Sequence, residues 1–171
     1  LSKGKKRKSP VAAVCSTLGT ALLIVLILVC LPLTVPRAFG YRIYTVITGS
    51  MEPAIPTGSL VYVKGISPED VEEEDVIAFY SSMDSVSIIT HRVVANSKIM
   101  GEFITKGDAN ETKDMNPVPY DDYIGKVTLT VPGIGSIAQA FAGTASKLAA
   151  ISIIGLAMVL LIIASVIDKR K

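Results

Sequence analysis

Two long stretches without a charged residue, Val11–Leu31 and Ala149–Ile167, bracket a middle region where apolar and polar residues alternate over short runs. At about 1.5 Å rise per residue, the first stretch reaches about 31 Å as a helix, enough for a bilayer core. The second is slightly shorter, and its Gly155 is acceptable in a membrane helix. Neither stretch has the polar face that a core helix of a soluble domain would show. Both are predicted to be transmembrane helices, with Pro32 and Pro36 expected to end the first. That first stretch is longer than the ~7–15-residue core of a secretory signal, and Pro36–Gly40 makes a poor cleavage site. It reads as an uncleaved anchor.

The middle region reads as short strands: Tyr41–Ile47, Ser59–Lys64, Val76–Tyr80, Val86–Ala95, Gly101–Thr105 and Tyr123–Val131. Gly, Pro and Asn punctuate them, and a helical turn is expected at Ser67-Pro68. A polar loop over Ser81–Ser85, a turn at Asn96–Lys98 and an apolar, small-residue segment over Ile134–Phe141 complete the reading. With no long helical period outside the two apolar runs, the fold class is mainly β. Core candidates are Val61, Val63, Val76, Ile77, Phe79, Val93, Phe103, Ile104, Ile124, Val127 and Leu129.

Charge orders this layout in the membrane. Basic clusters, Lys3–Lys8 and Lys169–Lys171, lie outside the two apolar runs, which by the positive-inside rule puts both ends in the cytoplasm. The expected organisation is a basic cytoplasmic tail at 1–10, transmembrane helix 1 at 11–35, an extracytoplasmic β domain at 36–147, transmembrane helix 2 at 148–167 and a basic tail at 168–171. Between Arg37 and Lys147 there are fourteen acidic and nine basic side chains, a net charge of −5. Such a surface gains nothing from phosphate backbones, so no nucleic-acid partner is expected. The acidic run Glu69–Asp75 reads as a solubilising face, since no histidine or second carboxylate cluster at ligand spacing accompanies it. Both cysteines, Cys15 and Cys30, fall within the first apolar run, which leaves the outer domain without disulfide, thiol nucleophile or thiolate metal site. No metal or cofactor is expected.

The candidate chemistry centres on Thr48-Gly49-Ser50-Met51-Glu52-Pro53, which closes the first strand. Gly49 permits a sharp turn and Pro53 prevents the strand from continuing. A hydroxyl on such a turn is exposed and rigidly aimed, as a serine nucleophile must be, although a simple polar turn has the same composition. A serine needs a base, and the chain offers its one histidine, His91, or a lysine such as Lys64 or Lys106 with a lowered pKa. Asp108 and Asp114, in the loop after the next strand, are the candidates to hold the ring.

Three boxes in order, Gly49-Ser50-Met51-Glu52-Pro53, Thr90-His91-Arg92-Val93 and Thr105-Lys106-Gly107-Asp108-Ala109-Asn110 with Asp114, resemble those of the type I signal peptidases. Tyr123-Ile124-Gly125-Lys126-Val127, followed by Pro132, extends the resemblance, which covers about Tyr41 to Gly135 and the two-anchor layout. A histidine where the common bacterial enzymes carry a lysine makes the chain look like the endoplasmic-reticulum (Ser–His) type, which also occurs in archaea and some Gram-positive bacteria as the SipW-like enzymes. The resemblance implies a signal-peptidase-like antiparallel β catalytic domain flanked by two transmembrane helices. It further implies Ser50 as nucleophile, His91 as general base and then acid, Asp114 as the third triad member and Asp108 as a second required acid. The family has another aspartate where this chain has Lys113, so the division of labour between Asp108 and Asp114 is open.

The implied activity is removal of signal peptides from exported preproteins, after small residues at −1 and −3, by a multi-pass enzyme of the cell membrane (or endoplasmic-reticulum membrane). Its partners would be signal peptides and the lipid bilayer. The Ser50 N–H and Thr48 hydroxyl are the expected oxyanion donors, with Met51 and Ile55 near the substrate. Met51 is equally well read as core. Three other readings compete: a membrane-tethered β module without chemistry, a Ser–Lys peptidase using Lys64, and a processing enzyme dedicated to a few substrates.

Overall fold

The computed structural model describes residues 9–82, 86–135, 138–139 and 143–169, with no side chains described at 144–147 or 169. The basic residues Lys3–Lys8, part of the Ser81–Ser85 loop, part of the Ile134–Phe141 segment, and Arg170 and Lys171 lie outside that description. The chain divides into two compact units, one holding most of the length of the two apolar helices and one running Leu33–Ala140.

Helix α1 spans Pro10–Ala38 and helix α2 spans Thr144–Lys169. Both are long and apolar enough to cross a membrane, and large side chains such as Val25, Leu28, Ile151 and Ile162 stay more than half exposed. Where the helices touch, small residues face each other. A Cβ on Gly19 would stand 3.0 Å from Leu161 Cγ and 3.1 Å from the Ala157 carbonyl. Pro32 and Pro36, expected to end the first helix, lie inside it. Each proline removes one backbone donor, but an apolar segment satisfies the rest of its peptide groups best by staying helical. The stop comes at Gly40, whose φ of 82° is left-handed, after Phe39 and Gly40 donate to the Pro36 and Arg37 carbonyls.

The second unit is a seven-stranded sheet: β1 (Tyr41–Thr45), β2 (Leu60–Lys64), β3 (Val76–Tyr80), β4 (Ile88–Ser97), β5 (Glu102–Lys106), β6 (Val118–Pro119) and β7 (Tyr123–Val131). Their order is β1-β2-β7-β3-β4-β5-β6, and every pairing is antiparallel. A short 3-10 turn at Pro68–Asp70 starts where Ser67-Pro68 placed it, and another at Tyr120–Asp122 leads into β7. The first strand stops at Thr45 rather than Ile47, which is 73% exposed. β4 runs on through Asn96 and Ser97, read from sequence as a turn.

Alternation on β3 divides the interior in two. Ala78 and Val76 face a cluster with Met51, Ile55, Val61, Val63 and Ile124. Ile77 and Phe79 face the other, with Val71, Val93, Phe103 and Val118. Tyr44 and Val46, at and just beyond β1, pack on the first cluster beside Ile88 of β4. In strand order three strands, β2, β7 and β3, lie between β1 and β4, so the sheet must curl. Most core candidates are buried, but Leu129 is 55% exposed. β3 covers β7 only as far as Lys126, so the far end of β7 has β2 alone beside it.

Candidate active site

Ser50 sits at the second position of a tight turn in which the Glu52 N–H donates to the Gly49 carbonyl at 3.0 Å. Met51 and Ile55, joined by a 2.8 Å hydrogen bond from the Ile55 N–H to the Met51 carbonyl, reach down into the first core. They are 1% and 4% exposed, so these two residues, expected beside the substrate, lie under the turn as its foundation. The loop beyond is tied back by Glu52 Oε1, which accepts from the Thr57 N–H at 3.2 Å and the Thr57 hydroxyl at 2.9 Å. The backbone bond first, and the hydroxyl second, lower the Glu52 pKa below its ordinary value. Thr48 is exposed two residues before Ser50.

His91 lies on β4 opposite Ile77, 8% exposed, with its ring edge-on to Phe79 at 6.1 Å between centroids. Neighbours on a strand face opposite ways, so His91 and Arg92 point to opposite sides of the sheet. The loop after β5 meets both. Asp114 Oδ2 lies 2.6 Å from His91 Nδ1, whereas Asp108 takes Arg92 in a two-pronged pair, Nε to Oδ1 at 2.8 Å and Nη2 to Oδ2 at 2.6 Å. The structure thus joins Asp114 to the imidazole and gives Asp108 to the guanidinium. The Asp108 hydrogen bonds hold the Arg92 pKa above its ordinary value, with Coulomb attraction from Asp108 and Glu74 adding to them against the effect of burial.

Thr105 fixes Asp114 twice. Its hydroxyl donates to the same Oδ2 at 2.6 Å, and its carbonyl accepts the Asp114 N–H at 2.9 Å. A carboxylate held by a hydroxyl and a backbone bond has little freedom to leave the ring.

Gly107 is where the serine turn and the ring converge. A Cβ there would lie 2.7 Å from the Ser50 carbonyl oxygen and 3.0 Å from His91 Nε2, so both elements close on one point. The Ala109 N–H clamps the contact by donating to the Ser50 carbonyl at 2.9 Å. Arg92, Thr105 and Gly107 all stand in the motif boxes, yet sequence reasoning gave them no task. An arginine next to a histidine, or a buried threonine, acquires one only when the loop is seen to return.

Lys64 ends β2 where it pairs with Tyr41, while the other end of that pairing, Leu60 with Thr45, is the one leading to the serine turn. It is exposed, with Nζ 5.8 Å from the Tyr41 ring centroid. Lys106 pairs with Arg92, on the side of the sheet away from the imidazole. Among the described residues no group of three or more His, Cys, Asp or Glu could hold a metal ion.

The fold and site together define a mainly antiparallel β domain with two apolar, membrane-length helices, an imidazole paired with a carboxylate, and a serine turn that meets the same glycine as the ring. Known proteins that the chain resembles are signal peptidases. It is 42% identical over 87 residues to Signal peptidase I W of Bacillus subtilis, covering 48% of this chain and 44% of that protein. It is also 29% identical over 105 residues to the Signal peptidase complex catalytic subunit SEC11C of Homo sapiens and of Canis lupus familiaris, covering 56% of this chain and 54% of each. The chain thus spans about half the length of the curated relatives it matches. No family model matches it. These relatives are the endoplasmic-reticulum and SipW kinds to which the motif boxes pointed.

Proposed function

We propose that the chain is a membrane-bound serine endopeptidase that removes signal peptides from exported preproteins. Ser50 Oγ attacks the scissile carbonyl while His91 Nε2 takes its proton, and the same nitrogen returns that proton to the leaving amine. Asp114, held by Thr105, keeps the ring in the tautomer with its proton on Nδ1 and stabilises the imidazolium. The Ser50 N–H and Thr48 hydroxyl receive the oxyanion. Asp108 and Arg92 do no chemistry themselves but fix the loop that carries Asp114. The acidic domain works on the far side of the membrane from the basic tails, and the substrate residues at −1 and −3 are small.

The observation that carries the proposal is the convergence of the Ser50 turn and His91 Nε2 on Gly107, with Asp114 on the opposite nitrogen. Strand pairing supports a peptide substrate. β5 pairs with β4 only from Arg92 onward, so Ile88–His91 pair with β3 on one side and with no strand on the other among the described residues. An extended peptide can add to that edge and bring its backbone alongside the histidine.

The test is cleavage of a synthetic preprotein by the purified full chain in detergent. Ser50→Ala and His91→Ala each abolish cleavage while remaining folded, and Lys64→Ala cuts like the wild type. Loss on Lys64→Ala with retention on His91→Ala would transfer the base role to lysine. Full restoration of a null phenotype by folded Ser50→Ala would favour the binding module.

A further inference from the structure

A cavity of about 270 Å³ opens on the sheet face that carries Phe79, Ile89 and His91. Pro117 and Val118 close it on one side, and Asp114 and Asp122 also line it. It has room for on the order of nine waters, so it is a pocket for a side chain and not a packing flaw. It is continuous with the candidate active site, since His91 and Asp114 belong to both.

The alternation of a strand decides what can enter. In a peptide added to the Ile88–His91 edge, side chains point by turns to the two faces of the sheet. Ile88 packs on the core beneath the serine turn, and Ile89 and His91 face the cavity. Residues −1 and −3 share a face. On the serine side the core under Met51 is filled, and the small −1 and −3 residues of the proposed substrate suit that face. The residue between them, −2, then projects over Ile89.

Resting on the peptidase reading above, we infer that this cavity is the subsite for the −2 side chain, and that it takes a long side chain with an apolar stem and a cationic end. Phe79, Ile89 and Pro117 supply the apolar wall, and Asp122 supplies the charge that meets a lysine or arginine head. A glutamate there would bring a third carboxylate beside Asp114 and Asp122.

The test uses the full chain in detergent with peptides that keep alanine at −1 and −3 and carry Ala, Leu, Lys or Glu at −2. A parallel series varies +1. The wild type is expected to cut the lysine peptide about fivefold faster in kcat/KM than the alanine peptide, and the glutamate peptide about fivefold slower, the size of effect one partly exposed charge pair provides. With each enzyme normalised to its own alanine peptide, Asp122→Asn flattens the Lys:Glu ratio and Asp122→Lys inverts it. A flat −2 series, the same discrimination at +1 but not at −2, or a ratio unmoved in both Asp122 variants overturns the assignment. Wild-type enzyme that cuts none of the peptides would instead sink the peptidase reading beneath it.

Discussion

Replacing Gly107 with alanine adds one methyl group at the point where the Ser50 turn and the His91 ring meet. The new carbon would lie 2.7 Å from the Ser50 carbonyl oxygen, 2.8 Å from Asn110 Nδ2 and 3.0 Å from His91 Nε2, all inside ordinary van der Waals contact. The asparagine amide can swing aside. The other two cannot move cheaply: Ser50 O is backbone held by the Ala109 N–H, and the ring is tethered through Nδ1 to Asp114. Relief therefore comes by pushing the serine turn and the imidazole apart by a good fraction of an ångström. A displacement of about 1 Å in a reacting pair costs about 10²-fold in rate, whereas one extra methyl in packed surroundings costs about 1–3 kcal/mol of stability. Gly107→Ala should thus lose about a hundredfold in kcat on a synthetic preprotein while melting only several degrees lower. Gly65→Ala, where an added Cβ meets nothing within 4 Å, is the control and should change neither. Near-normal kcat in a folded Gly107→Ala enzyme would mean that the convergence on this glycine is not the catalytic geometry.

Other expectations follow from single contacts. Thr105→Val removes the hydroxyl bond to Asp114 while nearly preserving shape, and should lower kcat about tenfold and displace the pH–rate profile, with Thr105→Ser restoring both. An unmoved profile would make Thr105 merely structural. Arg92→Lys cannot reproduce the two-pronged grip on Asp108 and should destabilise the domain by about 1–3 kcal/mol in a denaturant titration; a neutral result would show the Asp108 loop to be held by its backbone bonds alone. Burial first, then the Asp75 charge, push the Tyr123 pKa up to about 12, and the Ile66 N–H opposes them weakly without reaching hydrogen-bond geometry with the buried hydroxyl. Because the folded value lies above the unfolded one, this contribution is complete below about pH 10 and is lost between about 10 and 12. Tyr123→Phe should flatten stability against pH in that window, and an unchanged slope would assign the alkaline loss to other groups.

Strands with clear punctuation were legible without coordinates. β3 and β7 begin and end where their apolar content and the breakers placed them, because Asp75, Ser81 and Pro132 flank them with residues unsuited to a ladder. Asn96 misled because its amide is spent on tertiary contacts, donating to the Pro68 and Val71 carbonyls and accepting from the Tyr120 hydroxyl, so the chain stays extended there. β6 is two residues flanked and partly formed by proline, which local pattern reads as loop. Pro32 and Pro36 read as stops by the rule for soluble helices, but so apolar a segment keeps its peptide groups paired by staying helical through them. At the site, the residue types and their order could be read, but the pairing of two aspartates with two adjacent basic residues could not. That sorting depends on which face of β4 each side chain takes, and on a loop that leaves β5 where its pairing with β4 stops, so that one acid reaches each of the two adjacent residues.

The sharing of β3 between two interiors has an operational meaning. The serine turn is footed in one interior and the imidazole faces the other, with a single strand as the party wall. Damage to either chamber can shift the Ser50 turn against the His91 ring while the rest of the domain keeps its shape. Heat or a cavity-forming substitution should therefore silence such a molecule well before spectroscopy registers its collapse.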